Sequence, residues 1–346
     1  MAKLDEMLAA ALRDLAAEAP ALPPLSPRAR RRIRARRSAA IAASVMVVAA
    51  MSAGVVIGAH ALARPAHPQV SPHHLATAYV PTAYVLGGSG TVTPIRIATN
   101  TALRPVKVGP GPCAIAITPN GKTAYVVNQP ADTVTPITTA TNTALPPIRV
   151  GSRPLAIAIT PDGKTAYVIT RGSVARCPHT VTPIRTATNT ALRPIKVRQI
   201  PAAIAITPDG KTAYTVNFAG RRGVTVTPIR TATNTVLAPV TVGPTFPQQL
   251  PAIAITPDGS TAYVITNAPG LTHQDAVTPI RTATSTALPP ITVGRGSCAI
   301  AITPDGKTAY VTNMTSGTVT PIRTATNTAQ RPIEVGRGPC AMAITR

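Results

Sequence analysis

Tryptophan is absent from this chain of 346 residues, phenylalanine occurs twice, and only 11 residues are acidic. The shortage of aromatic rings argues against single-strand nucleic-acid binding and against sugar binding by stacking, because both use exposed rings as platforms. Charged residues make up only 13% of the chain, and Val, Ile, Ala and Thr are abundant. This composition predicts a β-rich globular protein rather than a disordered one.

An apolar segment without Asp, Glu, Lys or Arg spans residues 38–63. Its length suits one transmembrane helix, and seven arginines lie just before it, between residues 28 and 37. Because basic residues favour the cytoplasmic side, we expect a single-pass protein of the cell membrane, with residues 1–37 in the cytoplasm and the rest outside. The alternative is secretion after signal-peptide cleavage near Ala63, where Ala61-Leu62-Ala63 fits a small-residue cleavage site.

Two short segments flank the apolar one. Within residues 1–37, Leu4, Leu8 and Leu15 belong to a pattern of helical spacing that predicts a short amphipathic helix. This helix either docks onto a cytoplasmic partner or lies on the inner leaflet beside the arginines. Residues 64–76 are rich in Pro and His and are interpreted as a linker rather than a metal site.

Residues 77–346 consist of a repeat that recurs about every 42 to 51 residues. Each unit contains AIAIT, a Pro-Asp-Gly turn, TAYV, TVTPI, a TATNT turn and a stretch such as LRPIKVG. A period in the forties that holds several short strands is typical of β-propellers. We therefore predict an all-β, six-bladed propeller of four-stranded blades, and an extra TAYV at residues 77–80 leaves a seventh blade open.

Proline predicts the order of the strands within a blade. The last strand, d, carries a proline in every unit, for example Pro194, and a proline cannot donate to a sheet ladder. Strand d is therefore expected at the outer edge and the small-residue strand a, AIAIT, at the centre. Pro94 and its equivalents in strand c predict a bulge or a lapse in the c–d pairing. Because the chain ends on AMAITR, we expect this last segment to pair with the first blade and close the ring.

The repeat resembles the YVTN family of β-propellers, and Tyr310-Val311-Thr312-Asn313 spells the motif. The resemblance covers residues 77–346 and implies a propeller on an exported or surface-associated protein. It does not imply one activity, since some relatives are hydrolases or lyases and others are surface or binding proteins.

Acidic residues are too few for the metal site that a lactonase-like relative would need. Four precede the apolar segment, four lie in the Pro-Asp-Gly turns, and the remaining three are Asp132, Asp275 and Glu334. A Ser-His-Asp site would have to use His179 or His273, and no serine lies in a nucleophile elbow. We therefore predict a non-enzymatic binding or scaffold module without a cofactor, with a lactonase- or lyase-like enzyme as the alternative.

Three of the four cysteines occupy the same repeat position, just before strand a: Cys113, Cys298 and Cys340. Cys177 lies in a loop beside His179. Three interpretations stay open for these thiols: small side chains chosen for packing, disulfides with an unknown pairing among the four, or a soft-metal site.

Loop length indicates where ligands would bind. The b–c and d–a connections share one face, here called the loop face, and they contain all the insertions, whereas the a–b and c–d turns barely vary. The predicted binding residues are the bases, rings and amides of the loop face: Arg153, Arg171, Arg176, His179, Phe218, Arg221, Arg222, Phe246, Gln248, Gln249, His273, Arg295 and Arg337.

The charge of the repeat region indicates an acidic partner. Residues 77–346 contain 24 Lys or Arg and seven Asp or Glu, a net charge of +17. We expect a protein or an anionic cell-envelope polymer as the partner, and we favour nucleic acid less because the rings it would stack on are missing. A merely solvated basic face is the alternative. The arginines after TVTPI could add a basic belt: Arg96, Arg185, Arg230, Arg281 and Arg323.

Overall fold

The computed structural model describes residues 82–87, 89–172, 178–219, 223–244, 252–267, 275–342 and 344. They form six antiparallel sheets that follow one another along the chain, which confirms the predicted all-β propeller architecture. The predicted cytoplasmic helix, the apolar segment 38–63 and the linker 64–76 lie outside these residues. Among the residues that are described, no helix is both long and apolar enough to span a bilayer.

The first three blades contain strands β1 to β14. Blade one contains β1 (Thr82–Gly87), β2 (Thr91–Arg96), β3 (Thr101–Ala102) and β4 (Val106–Lys107), with a 3-10 turn at Ile97–Thr99. Blade two contains β5 (Pro112–Ile117), β6 (Thr123–Asn128), β7 (Thr133–Thr138), β8 (Thr143–Ala144) and β9 (Ile148–Arg149). Blade three contains β10 (Pro154–Ile159), β11 (Thr165–Thr170), β12 (Thr180–Arg185), β13 (Thr190–Ala191) and β14 (Ile195–Lys196).

The last three blades contain strands β15 to β29. Blade four contains β15 (Ile200–Ile206), β16 (Thr212–Phe218), β17 (Val224–Arg230), β18 (Thr235–Val236) and β19 (Val240–Gly243). Blade five contains β20 (Ile253–Ile255), β21 (Thr261–Asn267), β22 (Asp275–Arg281), β23 (Thr286–Ala287) and β24 (Ile291–Thr292). Blade six contains β25 (Ser297–Ile302), β26 (Thr308–Asn313), β27 (Thr318–Arg323), β28 (Thr328–Ala329) and β29 (Ile333–Glu334).

The strand order inside a blade is the one that proline predicts. In blade three, β10, β11 and β12 pair in sequence, and the outer strand pairs only with β12. That outer strand is split into β13 and β14, which pair with opposite ends of β12. Between them, next to Pro183 and Pro194, the ladder is interrupted, and the Pro183 carbonyl accepts from the N–H of Leu192 at 2.8 Å. The predicted lapse in c–d pairing is therefore confirmed.

A bulge at the start of strand a was not foreseen from the sequence. The a–b register shifts by one residue at Cys113, Leu155, Ala202 and Cys298. A bulge leaves one residue unpaired and turns its side chain away from the regular alternation. Two of the three cysteines of one repeat position, Cys113 and Cys298, are therefore bulge residues.

Neighbouring blades pack through apolar clusters that each contain residues of both blades. Between blades two and three, Tyr125 and Val127 pack with Val168 and Ile184, and all four side chains are fully buried. Corresponding clusters join blades one and two, three and four, four and five, and five and six. The small residues of strand a let the central strands of adjacent blades approach each other.

The strand b tyrosine of each of the first five blades reaches into the next blade. Tyr125 donates to Asn189 Oδ1 at 2.6 Å and Tyr167 donates to Asn234 Oδ1 at 2.9 Å, in both cases in the c–d turn of the following blade. The acceptor asparagines lie in the left-handed region, with φ of 53° and 55°, which asparagine tolerates better than most residues. Burial raises the pKa of both tyrosines to about 12, so the phenols stay protonated donors.

The asparagine that ends strand b is also structural. Asn313, the last residue of the YVTN stretch, is fully buried and donates to Thr318 Oγ1 at 3.0 Å and to Thr320 Oγ1 at 2.8 Å. Asn128 makes the corresponding bond to Thr135 Oγ1 at 2.9 Å. These bonds tie strand b to strand c inside the blade, so the motif belongs to the scaffold.

The Pro-Asp-Gly turns use their carboxylates internally. Asp162 Oδ1 accepts from Thr160 Oγ1 at 2.6 Å and from the N–H of Lys164 at 3.0 Å. Asn120 replaces the aspartate in blade two and accepts the same two bonds, from Thr118 and Lys122. The threonine hydroxyl is the main cause that lowers the pKa of Asp162. The turns therefore need an oxygen acceptor, and the charge is secondary.

The predicted closure of the ring stays a prediction, because part of the last segment lies outside the described residues. Among the described strands, those that pair with β1 do not include one from the end of the chain, and residues 335–342 and 344 form no strand. Val85 is 50% exposed, whereas its equivalent Val126 is buried, and Ile333 is 47% exposed. The end of the chain instead runs past β25, where Cys298 Sγ donates to the Pro339 carbonyl at 3.3 Å. Residues 343, 345 and 346 lie outside the description.

Replacing Tyr167 by Phe is expected to lower the free energy of unfolding by about 1 kcal/mol, because it removes one partly buried hydrogen bond between blades three and four. Tyr310→Phe is the matched control. Unlike the hydroxyl of Tyr263, that of Tyr310 makes no hydrogen bond within the described residues, so its removal breaks none there. Urea denaturation of the full chain measures the difference. Equal losses in the two variants would show that the interblade bond contributes nothing.

Replacing Asp162, Asp209, Asp258 and Asp305 together by Asn is expected to flatten the dependence of stability on pH below about 5. A carboxyl with a lowered folded pKa stabilises the fold above its unfolded pKa of about 3.9, and this contribution is lost as the pH falls through the folded value. The effect is modest because the groups are exposed. Melting temperatures measured at several pH values test this effect. Asn120→Asp adds a carboxyl at the same turn position, so it is expected to make the melting temperature depend more steeply on pH. An unchanged pH dependence in both variants would contradict the prediction.

Candidate functional site

The structure places six of the predicted binding residues and leaves the others outside its description. The six are Arg153, Arg171, His179, Phe218, Arg295 and Arg337. The seven that lie outside are Arg176, Arg221, Arg222, Phe246, Gln248, Gln249 and His273. Of the described six, four lie on or beside blades three and four, and the other two lie near blade six.

Arg153 and Arg171 lie together at the loop-face end of blade three. The N–H of Arg171 donates to the Arg153 carbonyl at 3.2 Å. Burial lowers the pKa of the Arg171 guanidinium, and the charge of Arg153 lowers it further. Arg171 Nε is buried and has no hydrogen-bond partner in the described part of the chain. Two like charges, one of them partly desolvated, make this place favourable for an anion.

His179 connects this pair of arginines to the neighbouring blade. Its Nδ1 contacts the Arg171 carbonyl, and a carbonyl can only accept, so Nδ1 carries the proton. Nε2 of a neutral imidazole then has a free lone pair. Such an arrangement, in which one ring nitrogen is fixed by a backbone carbonyl, orients a histidine for proton transfer at the other nitrogen.

A cavity of about 830 Å³ lies in the groove between blades three and four. Two predicted binding residues, His179 and Phe218, meet here. The other lining residues are Lys196, Arg198, Gln199, Ile200, Ala219, Thr227, Val236, Leu237, Ala238 and Pro239. The lining thus combines two full positive charges with an aromatic ring and an apolar wall, and it contains no carboxylate.

The cavity coincides with a departure from the repeat. In other units the outer strand is followed by Val-Gly, and at Gly294 an added Cβ would lie 2.6 Å from Asn313 Cγ. Only glycine fits that close approach. In unit three the glycine is replaced by Arg198, so the d–a connection cannot approach strand b of blade four in the same way. The cavity lies at this changed connection.

The sequence analysis did not predict Lys196, Arg198 or Gln199 as binding residues. The signal was present, since Val197-Arg198-Gln199 interrupts the Val-Gly pattern of the other units. Gln199 also has a structural partner, because its side-chain oxygen accepts from Thr225 Oγ1. Comparing each loop with its repeat equivalents would have found Arg198.

Two of the three acidic residues outside the turns, Asp132 and Asp275, connect neighbouring blades at the loop face. Asp132 of blade two accepts from the N–H of Arg153 at 2.7 Å and from Ser152 Oγ at 3.3 Å. Asp275 of blade five accepts from the N–H of Ser297 in blade six at 2.5 Å. Within the described residues, the ion pairs are three Lys–Asp contacts in the turns of the opposite face. The described bases of the loop face are therefore not neutralised by ion pairs there.

Arg295 and Arg337 are not brought into the cavity. Arg295 is exposed in the connection before β25, where its N–H donates to Ser316 Oγ at 2.7 Å, and Arg337 is exposed near the end of the chain. The arginines of the predicted basic belt are also exposed, but they end strand c at the opposite face. Within the described ranges, the basic residues therefore form separate groups.

The described cysteines are not gathered into one site. Cys113 is a free thiol whose Sγ contacts the Pro154 and Leu155 carbonyls of blade three, and burial raises its pKa to about 12. Cys298 and Cys340 are free thiols that lie beside each other at blade six. No group of three or more His, Cys, Asp or Glu side chains within the described ranges is arranged to hold a metal ion. Cys177 lies outside those ranges.

No family model matches the chain, and no curated protein matches it. Several solved structures do. Hydrazine synthase of Kuenenia stuttgartiensis superposes with a TM-score of 0.63 at 23% identity, over 75% of this chain and 85% of that one. A putative 6-phosphogluconolactonase of Bacteroides fragilis gives 0.54 at 21% identity, over 72% and 78%.

A third similar structure is the dihydro-heme d1 dehydrogenase NirN in complex with DHE, with a TM-score of 0.57 at 14% identity. The match covers 75% of this chain but only 55% of NirN. At these identities the likeness concerns the fold. The chain is a β-propeller. The β-propeller part of the predicted resemblance is confirmed by these structures, and membership of the YVTN family stays a prediction.

The prediction that the chain is not an enzyme is wrong as an exclusion. All three of these structures carry enzyme names: a synthase, a putative lactonase and a dehydrogenase. The prediction relied on the shortage of carboxylates, and the loop face offers histidine, lysine and arginine instead. An enzymatic role is therefore open to this propeller.

Proposed function

We propose that the propeller is a hydrolase that acts on a small anionic ester or lactone in the cavity between blades three and four. The observation that carries the proposal is the lining of that cavity. His179, Lys196 and Arg198 meet there beside the ring of Phe218, and no carboxylate is among the lining residues. An anionic ligand would find two positive charges, an apolar wall and an oriented imidazole in one concave place.

The chemistry follows from the positions of the side chains. Lys196 and Arg198 are both exposed at the mouth, where they can bind a carboxylate or phosphate group of the substrate. His179 Nε2 accepts a proton from a water molecule, whose oxygen attacks the carbonyl carbon. The bond between the carbonyl carbon and the ester oxygen then breaks, and the protonated imidazole donates its proton to the oxygen that leaves. Water is consumed, and an acid and an alcohol are formed.

The similar structures support this class of reaction without deciding it. One of them is named as a putative 6-phosphogluconolactonase, a name that implies a phosphorylated lactone as the substrate. A phosphorylated lactone has the two features that the cavity is suited to, a carbonyl open to water attack and a separate anionic group. For this reason 6-phosphogluconolactone is a suitable first probe.

Two substitutions in the full chain separate binding from chemistry. Arg198→Gly, which restores the residue of the other units, is expected to raise KM for the lactone roughly 10-fold or more, because a charge-assisted hydrogen bond is lost. His179→Gln is expected to lower kcat about 100-fold with little change in KM. Lactone hydrolysis followed in a pH-stat measures both parameters.

Arg193→Gln is the control, because Arg193 is an exposed arginine of the same blade that does not line the cavity. Arg198→Gly and Arg193→Gln variants with the same KM would exclude the cavity as the binding site. An unchanged kcat in His179→Gln would remove His179 from the chemistry. Binding of inorganic phosphate without turnover of any lactone would leave a binding module.

The second candidate is an exported binding module whose loop face holds an acidic protein or an anionic cell-envelope polymer. Arg153, Arg295 and Arg337 are exposed on that side, and none of them is ion-paired within the described residues. This candidate uses exposed bases around the ring rather than the cavity. It extends the proposal that residues 38–63 anchor the chain in the membrane with the propeller outside.

Protease treatment of intact cells is expected to degrade the propeller and to spare an epitope tag fused before Met1. Retention of the degraded chain's N-terminal part in the membrane fraction would support an uncleaved anchor, and its absence would support cleavage near Ala63. A protected propeller would contradict export.

Binding of the protein to beads that carry an anionic polymer tests the acidic partner. Replacing Arg153, Arg295 and Arg337 together by Gln is expected to reduce the amount of protein retained on the beads, and Arg193→Gln is the control.

A further inference from the structure

Two cysteine thiols meet at the place where the sheet of blade six is followed by the end of the chain. Cys298 is the bulge residue of β25 and is 8% exposed. Its Sγ donates to the Pro339 carbonyl at 3.3 Å, one residue before Cys340. The Cys340 side chain itself lies within interaction range of the Cys298 thiol. Cys298 Sγ thus contacts the main chain one residue before Cys340, and Cys340 is near enough to contribute to the raised pKa of the Cys298 thiol.

The same contact occurs between regular blades. Cys113, the bulge residue of blade two, lies beside the Pro154 and Leu155 carbonyls at 3.6 and 3.7 Å, where strand a of blade three begins. Residues 339 and 340 therefore take, relative to blade six, the place that residues 154 and 155 take relative to blade two. In the regular case the neighbour of the bulge thiol is a leucine. At the end of the chain it is a second cysteine.

We propose that Cys298 and Cys340 form a disulfide when the propeller is in an oxidising compartment, and that this bond fastens the C-terminal segment to blade six. The oxidant is a disulfide, either of a thiol–disulfide oxidoreductase or of oxidised glutathione. Both S–H bonds are lost and one S–S bond forms. The two electrons and two protons pass to the oxidant, whose disulfide becomes two thiols.

The surroundings determine the order of the two steps. Cys298 is buried, and burial raises the pKa of its thiol to about 12, whereas Cys340 is half-buried near the end of the chain. Cys340 therefore reacts first with the oxidant and forms a mixed disulfide. Cys298, whose Sγ lies 3.4 Å from Thr312 Oγ1, then attacks the Cys340 sulfur and releases the carrier thiol.

The bond would act at the junction between the last blade and the first. Val85 and Ile333 are exposed on the two terminal blades. A disulfide at Cys340 holds the segment that begins at Cys340 against the bulge of β25, where the start of strand a lies against the bulge thiol in the pair of blades two and three. The disulfide would thus replace, at one junction, the interblade contacts that the other five junctions have.

Peptide mapping tests the pairing directly, because trypsin places each cysteine in its own peptide. Cys298 falls in residues 296–307, Cys340 in 338–346, Cys113 in 108–122 and Cys177 in 177–185. The full chain is incubated with oxidised glutathione, alkylated and digested without reductant. We expect 296–307 linked to 338–346, at the sum of their masses less two hydrogens, and alkylated thiol in 108–122.

Thermal unfolding tests the consequence. Reduction is expected to lower the melting temperature of the oxidised full chain by roughly 5 °C, because the bond closes a loop of about 40 residues. Cys340→Ser changes a half-buried residue near the chain end, so it should fold, should melt at the reduced value and should not respond to reductant. Cys113→Ser is the matched control and should respond as the unsubstituted chain does.

Three results would overturn the proposal. The first is alkylated thiol in both 296–307 and 338–346 after treatment with oxidised glutathione. The second is a linkage of either peptide to 108–122 or to 177–185. The third is the expected linkage with a melting temperature that does not depend on reductant, which would show that the bond forms without fastening the segment. These results are independent of any lactonase activity.

Discussion

Each of the first five blades is held to the next by a buried tyrosine whose hydroxyl donates to the following c–d turn, and the order of the blades depends on this contact. Tyr84, Tyr125, Tyr167 and Tyr263 reach asparagines of the next blade at 2.6 to 2.9 Å. A sheet face packed only by Val and Ile could slide, because dispersion contacts are not directional. A hydrogen bond from a buried phenol fixes the rotation of one blade against its neighbour, and it requires an acceptor in the left-handed conformation that asparagine can adopt.

That regularity explains where function can lie. The repeat satisfies its own polar groups: Pro-Asp-Gly carboxylates bond within their turns, strand b asparagines bond to strand c threonines, and Asp132 braces the connection of the next blade. The regular units therefore have few polar groups that remain available to bind a ligand. The exception is between blades three and four, where Arg198 replaces a glycine and a cavity with unpaired bases lies beside His179.

Much of the fold could be predicted from the sequence, and less of the site. Proline placed strand d at the edge and indicated the gap in the c–d ladder, since a missing N–H has the same consequence wherever the strand goes. His179 and Phe218 were expected on one face because loop lengths identify that face, and both line the cavity. Their meeting with Lys196 and Arg198 could not be predicted, because it depends on the angle between two blades. The bulge at Cys298 was missed because AIAIT reads as a regular alternation.

The sequence by itself determined the number of blades, the strand order and the face that carries the variable loops, because these follow from a repeated pattern and from the backbone chemistry of proline, glycine and asparagine. Only the tertiary structure decided which side chains are neighbours across blades. It brought His179 to the Arg171 carbonyl and Cys298 to Pro339 and Cys340. Contacts between residues that are far apart in the chain depend on how two separate sheets pack, and no local pattern records that.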